Sequence, residues 1–398
     1  MLHNAPQITR SATTPLGFEK KSKDMKKNLD IEVMRAYAIT ITIIAHLGLL
    51  NPTWDSWTGY FWLGGGVDLF FCISGFLITS SLLLSLSSKQ SFISYAGEFW
   101  IRRLFRLWPA ALLWATVTLI ISEVFDVSKT FGPQEDVRLS WIYGVLNVEN
   151  IYIWASHLTT KPTPIWHYWS LSLEEQFYLV LPILLFFSSI RKYVIALMLS
   201  FAVYQSTHVR PWGELLWFIR SDALIYGSLI AFAWHYRSAA INNIFSYGKK
   251  LHWQIAFAVA LPMPVLLSKI SLSPYYMGLV AASAGLVIFM CSANRNFTGD
   301  SGRIKNTLVY IGSRSYSIYL IHFPMFAITR ELCLNFGISE LTTEPAKVIA
   351  TAIAMTATLL LSEVSFKFVE TPLRNFGRRR SQLWLERKHE SSIASSAI

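Results

Sequence analysis

Apolar stretches of about 18 residues or more, separated by short polar connections, recur along this 398-residue chain. They predict membrane spans at 33–51, 65–87, 107–125, 171–189, 193–207, 214–236, 252–269, 275–293, 308–329 and 346–369, the fifth being short. The expected fold is an all-α integral membrane protein with about ten transmembrane helices. Residues 1–28 read as a polar cytoplasmic tail, 29–374 as the membrane domain, and 375–398 as a basic cytoplasmic C-terminal tail. The first apolar run follows a Lys-rich leader with nothing like a cleavage site after it, so no cleaved signal peptide is expected.

Composition agrees with this pattern. The chain is 53% hydrophobic and 15% charged, against about 25% charged for a soluble domain. Its net charge of +11 could attract nucleic acid in a soluble protein; here the positive-inside rule accounts for it, and no nucleic-acid partner is expected. Arg102, Arg103 and Arg106, then Arg191 and Lys192, then Arg237, Lys249 and Lys250, then Arg295, Arg303 and Lys305 fall in alternate connections. Arg374, Arg378, Arg379 and Arg380 follow the last span. One orientation puts all of these, and both termini, in the cytoplasm. The 126–170 connection, rich in Trp and Tyr, then lies along the outer surface. Cys72, Cys291 and Cys333 show no pairing or metal-ligand spacing; the first two read as small core residues.

Ionisable groups within the apolar stretches are the candidate chemistry, because a charge in hydrocarbon is costly unless paired or wet. In the first stretch Arg35 and His46 are eleven residues apart, about three turns, and share one helix face roughly 16 Å apart along the axis. Arg35 could pair with Asp30 or Glu32; the plainer alternative is a snorkelling arginine and a packing histidine. Asp68 follows Gly64, Gly65 and Gly66 at the second span. It is either a polar site near the outer surface or a first-turn charge stabilised by the helix dipole.

Arg103 and Arg106 share a face in FWIRRLFRLWPA, where Pro109 marks the turn into the bilayer. With Arg102 they could grip a phosphorylated donor through guanidinium forks, or anchor the topology at anionic headgroups. In WHYWSLSLEEQFY, Glu174 and Tyr178 share a face at a depth like that of His46. Glu174 could orient the His46 imidazole as the acid of a triad does, or belong to an interhelical hydrogen-bonded network. Arg220 and Asp222 are two apart, so each is expected to pair with another helix. His322 is a possible second acceptor-site imidazole or a structural histidine. Glu363, Lys367 and Glu370 suit an intrahelical ion network.

Together these pieces resemble the membrane-bound acyltransferase 3 family. The matching motifs are Arg35-x10-His46, GVDLFFCISGF, RRLFRLWP, WHYWSLSLEEQFY, RSDALIYGSLIA, GSRSYSIYLIHFP and FKFVETPLR, in the family's order over nearly the whole chain. The resemblance implies an O-acyltransferase that moves an acyl group, expected to be acetyl, from acyl-CoA as co-substrate to a hydroxyl of a carbohydrate or glycolipid. Such an enzyme binds no cofactor or metal and acts in the bacterial inner membrane among its lipids. The chain looks like the stand-alone form, without an appended extracytoplasmic hydrolase-like domain. The family's motif residues fall on His46, Glu174 and Arg35 as catalytic groups and on Arg103 and Arg106, beside Arg102, as donor-binding groups. Asp68, His167, Ser170, Tyr178, Arg220, Asp222 and His322 are expected on the supporting or acceptor side. The rival class is a transporter whose intramembrane Arg, His and Glu line a permeation path. The chain lacks the internal symmetry many transporters show. No Gly-x-Ser-x-Gly elbow, His-Glu-x-x-His motif or P-loop is present.

Overall fold

A computed structural model describes residues 28–50, 63–86, 91–187, 191–269, 274–338 and 343–396. Residues 1–27 of the expected N-terminal tail lie outside the described residues. Among those described, every regular element is helical. The principal helices are α1 (Leu29–Ala45), α2 (Gly65–Ser85), α3 (Phe92–Phe125), α4 (Gln134–Val145), α5 (Glu149–Ser156), α6 (Tyr168–Phe186) and α7 (Arg191–Thr207). They continue with α8 (Asp222–Ser246), α9 (Lys250–Ala260), α10 (Tyr276–Ser292), α11 (Arg303–Ser313), α12 (Ser315–Asn335), α13 (Glu344–Ser365) and α14 (Thr371–Ser396).

Among the described residues the expected apolar stretches fall largely on helix, with breaks at 219–221 and 261–262, and four helical segments meet the length and apolarity of a span against the ten expected. Leu29–Leu50, Gly65–Ser85, Phe92–Phe125 and Glu344–Lys388 contain helix long and apolar enough to cross a membrane. Their outward faces are apolar too. On α13, Val348, Ile349, Ile353, Leu360 and Val364 are all more than half exposed. A contiguous apolar face of this kind suits lipid rather than water.

The centre of the bundle is built from α1, α2, α8 and α10. Helices α2 and α8 cross where Gly75 faces the Leu224 carbonyl and Gly227 faces the Cys72 carbonyl. A Cβ at either glycine would run into backbone, so only glycine lets the two chains approach this closely. Cys72 and Cys291 are buried in this core, as expected for small apolar residues. Pro109 does not end a helix. It lies inside α3, which runs on for 34 residues from its Ser91 cap. At 1.5 Å per residue that is about 50 Å, enough to cross hydrocarbon and extend beyond it.

The connection from 126 to 167 folds back as α4 and α5 and packs on the bundle, forming what is termed the loop end of the molecule. Trp108 Nε1 donates to the Val145 carbonyl at 3.2 Å, and Trp141 Nε1 to Thr116 Oγ1 at 3.1 Å. Glu331 near the end of α12 accepts from the backbone N–H groups of Val127 and Ser128, both at 2.9 Å.

The expected polar C-terminal tail is a helix. A π turn at Phe366–Glu370 carries α13 directly into α14, which packs along α3.

Candidate active site

Many of the charged residues that are costly in an apolar bundle converge on one cavity of about 620 Å³. Helices α1, α2, α3, α6, α12 and α14 all contribute to its wall. Six arginines (Arg35, Arg103, Arg106, Arg314, Arg374 and Arg378) and three glutamates (Glu32, Glu174 and Glu370) line it. The surplus of guanidinium makes it an anion-attracting chamber. Ser170 and Tyr319 also line it, nearer the loop end.

Helix α1 delivers the expected stripe. Arg35 lies in the cavity wall with Glu32 at 3.7 Å, one of its two expected partners. The other, Asp30, is buried against Lys305 at 3.2 Å. His46 caps the C-terminal end of α1, about three turns toward the loop end. Its Nδ1 is 3.0 Å from His322 Nε2. His322 is wholly buried, and its Nδ1 lies 2.7 Å from the Tyr319 carbonyl.

These two distances fix the tautomers. A carbonyl oxygen can only accept, so His322 Nδ1 carries the proton. In the neutral ring Nε2 is then an acceptor, and His46 Nδ1 must donate to it. The proton-free position on neutral His46 is Nε2, the atom able to act as a base.

The carboxylate expected to orient His46 sits elsewhere. Glu174 Oε2 accepts from Tyr178 Oη at 2.7 Å, and Glu174 lines the arginine cavity. The i,i+4 pairing of Glu174 and Tyr178 holds; the pairing of Glu174 with His46 does not, because His322 occupies that role. The Tyr178 ring lies 5.2 Å from the Arg103 guanidinium carbon, so it supports both groups.

Of the three arginines in RRLFR, only two face the chamber. Arg103 and Arg106 line it. Arg102 points away and pairs with Glu98 at 2.9 Å, one turn back on α3. Two residues three apart share a face, whereas a neighbour is turned by about 100°.

A third histidine joins the loop-end group. His167 is 2% exposed and stacks on Phe323, with centroids 4.6 Å apart, and lies 5.4 Å from the His322 ring. Both ring nitrogens of His167 are buried. Its carbonyl accepts from Tyr319 Oη at 2.9 Å, and Tyr319 Oη is 2.6 Å from Ser170 Oγ. Tyr319 therefore joins the two halves of the site. Its side chain lines the cavity, and its carbonyl holds His322. Tyr319 lies within the GSRSYSIYLIHFP motif, but the sequence singles out only His322 there.

Asp68, Arg220 and Asp222 stand apart from the cavity. Asp68, in the first turn of α2, faces Arg220 at 3.7 Å, and Arg220 is sandwiched between Trp169 and Trp217, each ring at 4.8 Å. Asp222 pairs with Arg210 at 2.7 Å, both fully buried. Arg220 thus pairs with another helix as expected, while Asp222 pairs with the connection before it. The network expected for Glu363, Lys367 and Glu370 forms only in part. Lys367 reaches Glu363 at 2.8 Å, which also binds Arg314 at 2.6 Å, whereas Glu370 turns inward to Ser317 and the cavity.

A family model described as an acyltransferase domain matches residues 28–363, a range that holds the charged cavity residues except Glu370, Arg374 and Arg378. The chain belongs to the acyltransferase 3 family. It is 30% identical over 369 residues to the peptidoglycan O-acetyltransferase OatA of Listeria monocytogenes, covering 87% of this chain and 56% of that one. It is 30% identical over 372 residues to the O-acetyltransferase OatA of Staphylococcus aureus, covering 87% and 57%. It is 28% identical over 371 residues to the putative peptidoglycan O-acetyltransferase YrhL of Bacillus subtilis, covering 88% and 55%. The chain spans a little over half the length of these curated relatives. No solved structure matches it.

Proposed function

We propose that this family member is a membrane O-acyltransferase that moves an acetyl or other short acyl group from acyl-CoA to a hydroxyl of a cell-envelope glycan. The observation that carries the reading is Tyr319, shared between an arginine-rich chamber and a pair of histidines with one proton-free nitrogen. The chamber suits a phosphorylated donor, and the histidines suit proton removal from a hydroxyl. The names of the relatives favour peptidoglycan as the glycan.

Arg103 and Arg106 hold donor phosphates through charge-assisted hydrogen bonds. The narrow acyl-pantetheine arm extends past Glu174, Ser170 and Tyr319 toward the loop end. His46 Nε2 takes the proton of the acceptor hydroxyl as that oxygen attacks the thioester carbonyl. The carbonyl carbon gains a C–O bond and loses its C–S bond, and the imidazolium returns the proton to the departing thiolate. His322 holds the ring in the reactive tautomer. Arg35 supports the donor arm from lower on the same face.

The test uses the purified 398-residue protein in detergent with acetyl-CoA and peptidoglycan fragments. Free CoA thiol should appear only when both substrates are present, with acetyl ester on the glycan by mass spectrometry. A folded protein that releases no thiol with any envelope glycan, and instead carries such a substrate across vesicles, would return the reading to the transporter class.

A further inference from the structure

The basic residues after the last span are explained by topology when only the sequence is read. Their placement in the fold is more specific. Helix α14 packs antiparallel to the first half of α3: Gly377 sits against Phe105, and Gly97 of α3 sits against Trp384. A Cβ at Gly377 would come within 2.5 Å of Phe105 Cβ, so the two helices are in direct contact. Glu370, Arg374 and Arg378 are each four residues apart, form one stripe, and all three line the cavity. Arg379 and Arg380 lie off that stripe and are exposed.

The chamber therefore has two arginine pairs on facing helices, Arg103 with Arg106 and Arg374 with Arg378. Arg374 is half-buried, and among the described residues its Nε is buried with no hydrogen-bond partner. A buried guanidinium nitrogen left unbonded is costly and suits a ligand oxygen. Arg378 is exposed. Across the chamber, at the same level along the helices, Arg103 lies against the rings of Phe99 and Tyr178. Two facing cation pairs fit a ligand carrying two phosphate groups. In acyl-CoA the thioester arm leads, the pyrophosphate follows, and the ribose 3′-phosphate lies beyond it.

We propose that Arg374 and Arg378 bind the 3′-phosphate of the donor, while Arg103 and Arg106 bind its pyrophosphate. The C-terminal helix is then part of the donor site, and it selects CoA against donors that lack the phosphomonoester. This rests on the acyl-CoA reading of the chamber.

The probes are CoA and 3′-dephospho-CoA, titrated into the purified protein. The intact protein should bind CoA about 10- to 100-fold more tightly, the effect of losing one or two charge-assisted contacts. Arg374→Ala and Arg378→Ala should remove most of that preference by weakening CoA alone. Arg374→Lys should restore it partly, because the charge stays and the fork is lost. Arg103→Ala should weaken both probes alike, and Arg379→Ala should change neither. Exposed Arg378 is the variant safest for folding, and its elution in size-exclusion chromatography checks this. An Arg378→Ala protein that keeps the full preference overturns the assignment, as does an intact protein that binds both probes equally; both leave the donor reading standing. An intact protein that binds neither probe overturns the donor reading itself.

Discussion

His46 Nδ1 lies 3.0 Å from His322 Nε2, and His322 Nδ1 is tied to a backbone carbonyl one turn away on its own helix. The His46 imidazole is thus oriented by a second imidazole in the place where the sequence points to a carboxylate. A neutral partner adds no second charge to a buried site, which avoids the desolvation cost of an ion pair. It also leaves Glu174 in the wall of the arginine-lined chamber, bound to Tyr178.

His46→Ala should lower kcat by about 10²- to 10⁴-fold, the usual range for removing a general base. His322→Ala should cost less, about 10- to 100-fold, as when a group that orients an imidazole is lost. In both variants KM for acyl-CoA should be unchanged, because neither histidine lines the phosphate chamber. His322→Gln offers an acceptor in place of Nε2 and should recover part of the loss. Steady-state kinetics in detergent check this; a rise in KM with unchanged kcat would count against both roles.

Arg103→Ala or Arg106→Ala should raise KM for acyl-CoA by about 10-fold or more, equivalent to roughly 1.5–3 kcal/mol per charge-assisted phosphate contact. Arg106→Lys should recover only part, for want of the fork. Arg102→Ala should be silent within about 1 kcal/mol, because its pairing with Glu98 is half in solvent. Acyl-CoA kinetics that fall for Arg102→Ala and hold for the other two would reverse the placement of this turn.

The stripe of Arg35 and His46, the pair Arg103 and Arg106, and the neighbours Glu174 and Tyr178 are legible in the sequence. Each rests on helical periodicity within one segment. What periodicity cannot supply is which segments meet. His46 and His322 are 276 residues apart, and only the packing of α1 on α12 decides that they, and not His46 and Glu174, pair. Arg374 and Arg378 are hidden for another reason. The positive-inside rule already explains basic residues after a last span, so nothing in their identity asks for a second role. Pro109 reads as a boundary, yet a membrane-depth helix tolerates proline inside it when neighbours satisfy the freed carbonyl.

Asp68 and Arg220 should be structural. Arg220→Ala leaves the Asp68 carboxylate in a fully buried site without its cation, an arrangement that costs about 3–5 kcal/mol. The expected result is a lower melting temperature in detergent, with KM for acyl-CoA unchanged in the fraction that stays folded. A variant of wild-type stability with a raised KM would place this pair in the binding site.

Glu331 gives the loop end a pH dependence. Burial works against its charge, yet the N–H groups of Ser128 and Val127 and the Thr130 hydroxyl outweigh it and hold the carboxyl below its usual range. A folded pKa below the unfolded value near 4.3 means the contribution is complete above that pH and is lost as pH falls through the lower folded value. Asp126 beside it is shifted upward by burial, so its protonation acts in the opposite direction. The difference in melting temperature between the intact protein and Glu331→Gln isolates the first effect. That difference should be largest near neutral pH and shrink below about pH 4. A difference that grows on acidification would contradict the sign.

The final prediction concerns sidedness, on which the route of the acyl group depends. In the proposed reaction donor phosphates enter at the arginine end, while the proton-free nitrogen of His46 lies toward the loop end, so the expected route has the two ends on opposite faces of the membrane. The alternation of basic connections predicts the arginine end in the cytoplasm. Cys72 and Cys291 are buried, so only Cys333 needs replacing by serine to give a quiet background. Leu158 in the 126–170 connection is 87% exposed, and Arg380 on α14 is also exposed. Leu158→Cys should react with an impermeant maleimide on intact cells, and Arg380→Cys only after permeabilisation. In oriented vesicles, acetyl-CoA on the Arg380 side and glycan on the Leu158 side should yield ester. Product formed only when both substrates share the Arg380 side would remove the transmembrane route and leave transfer on a single face.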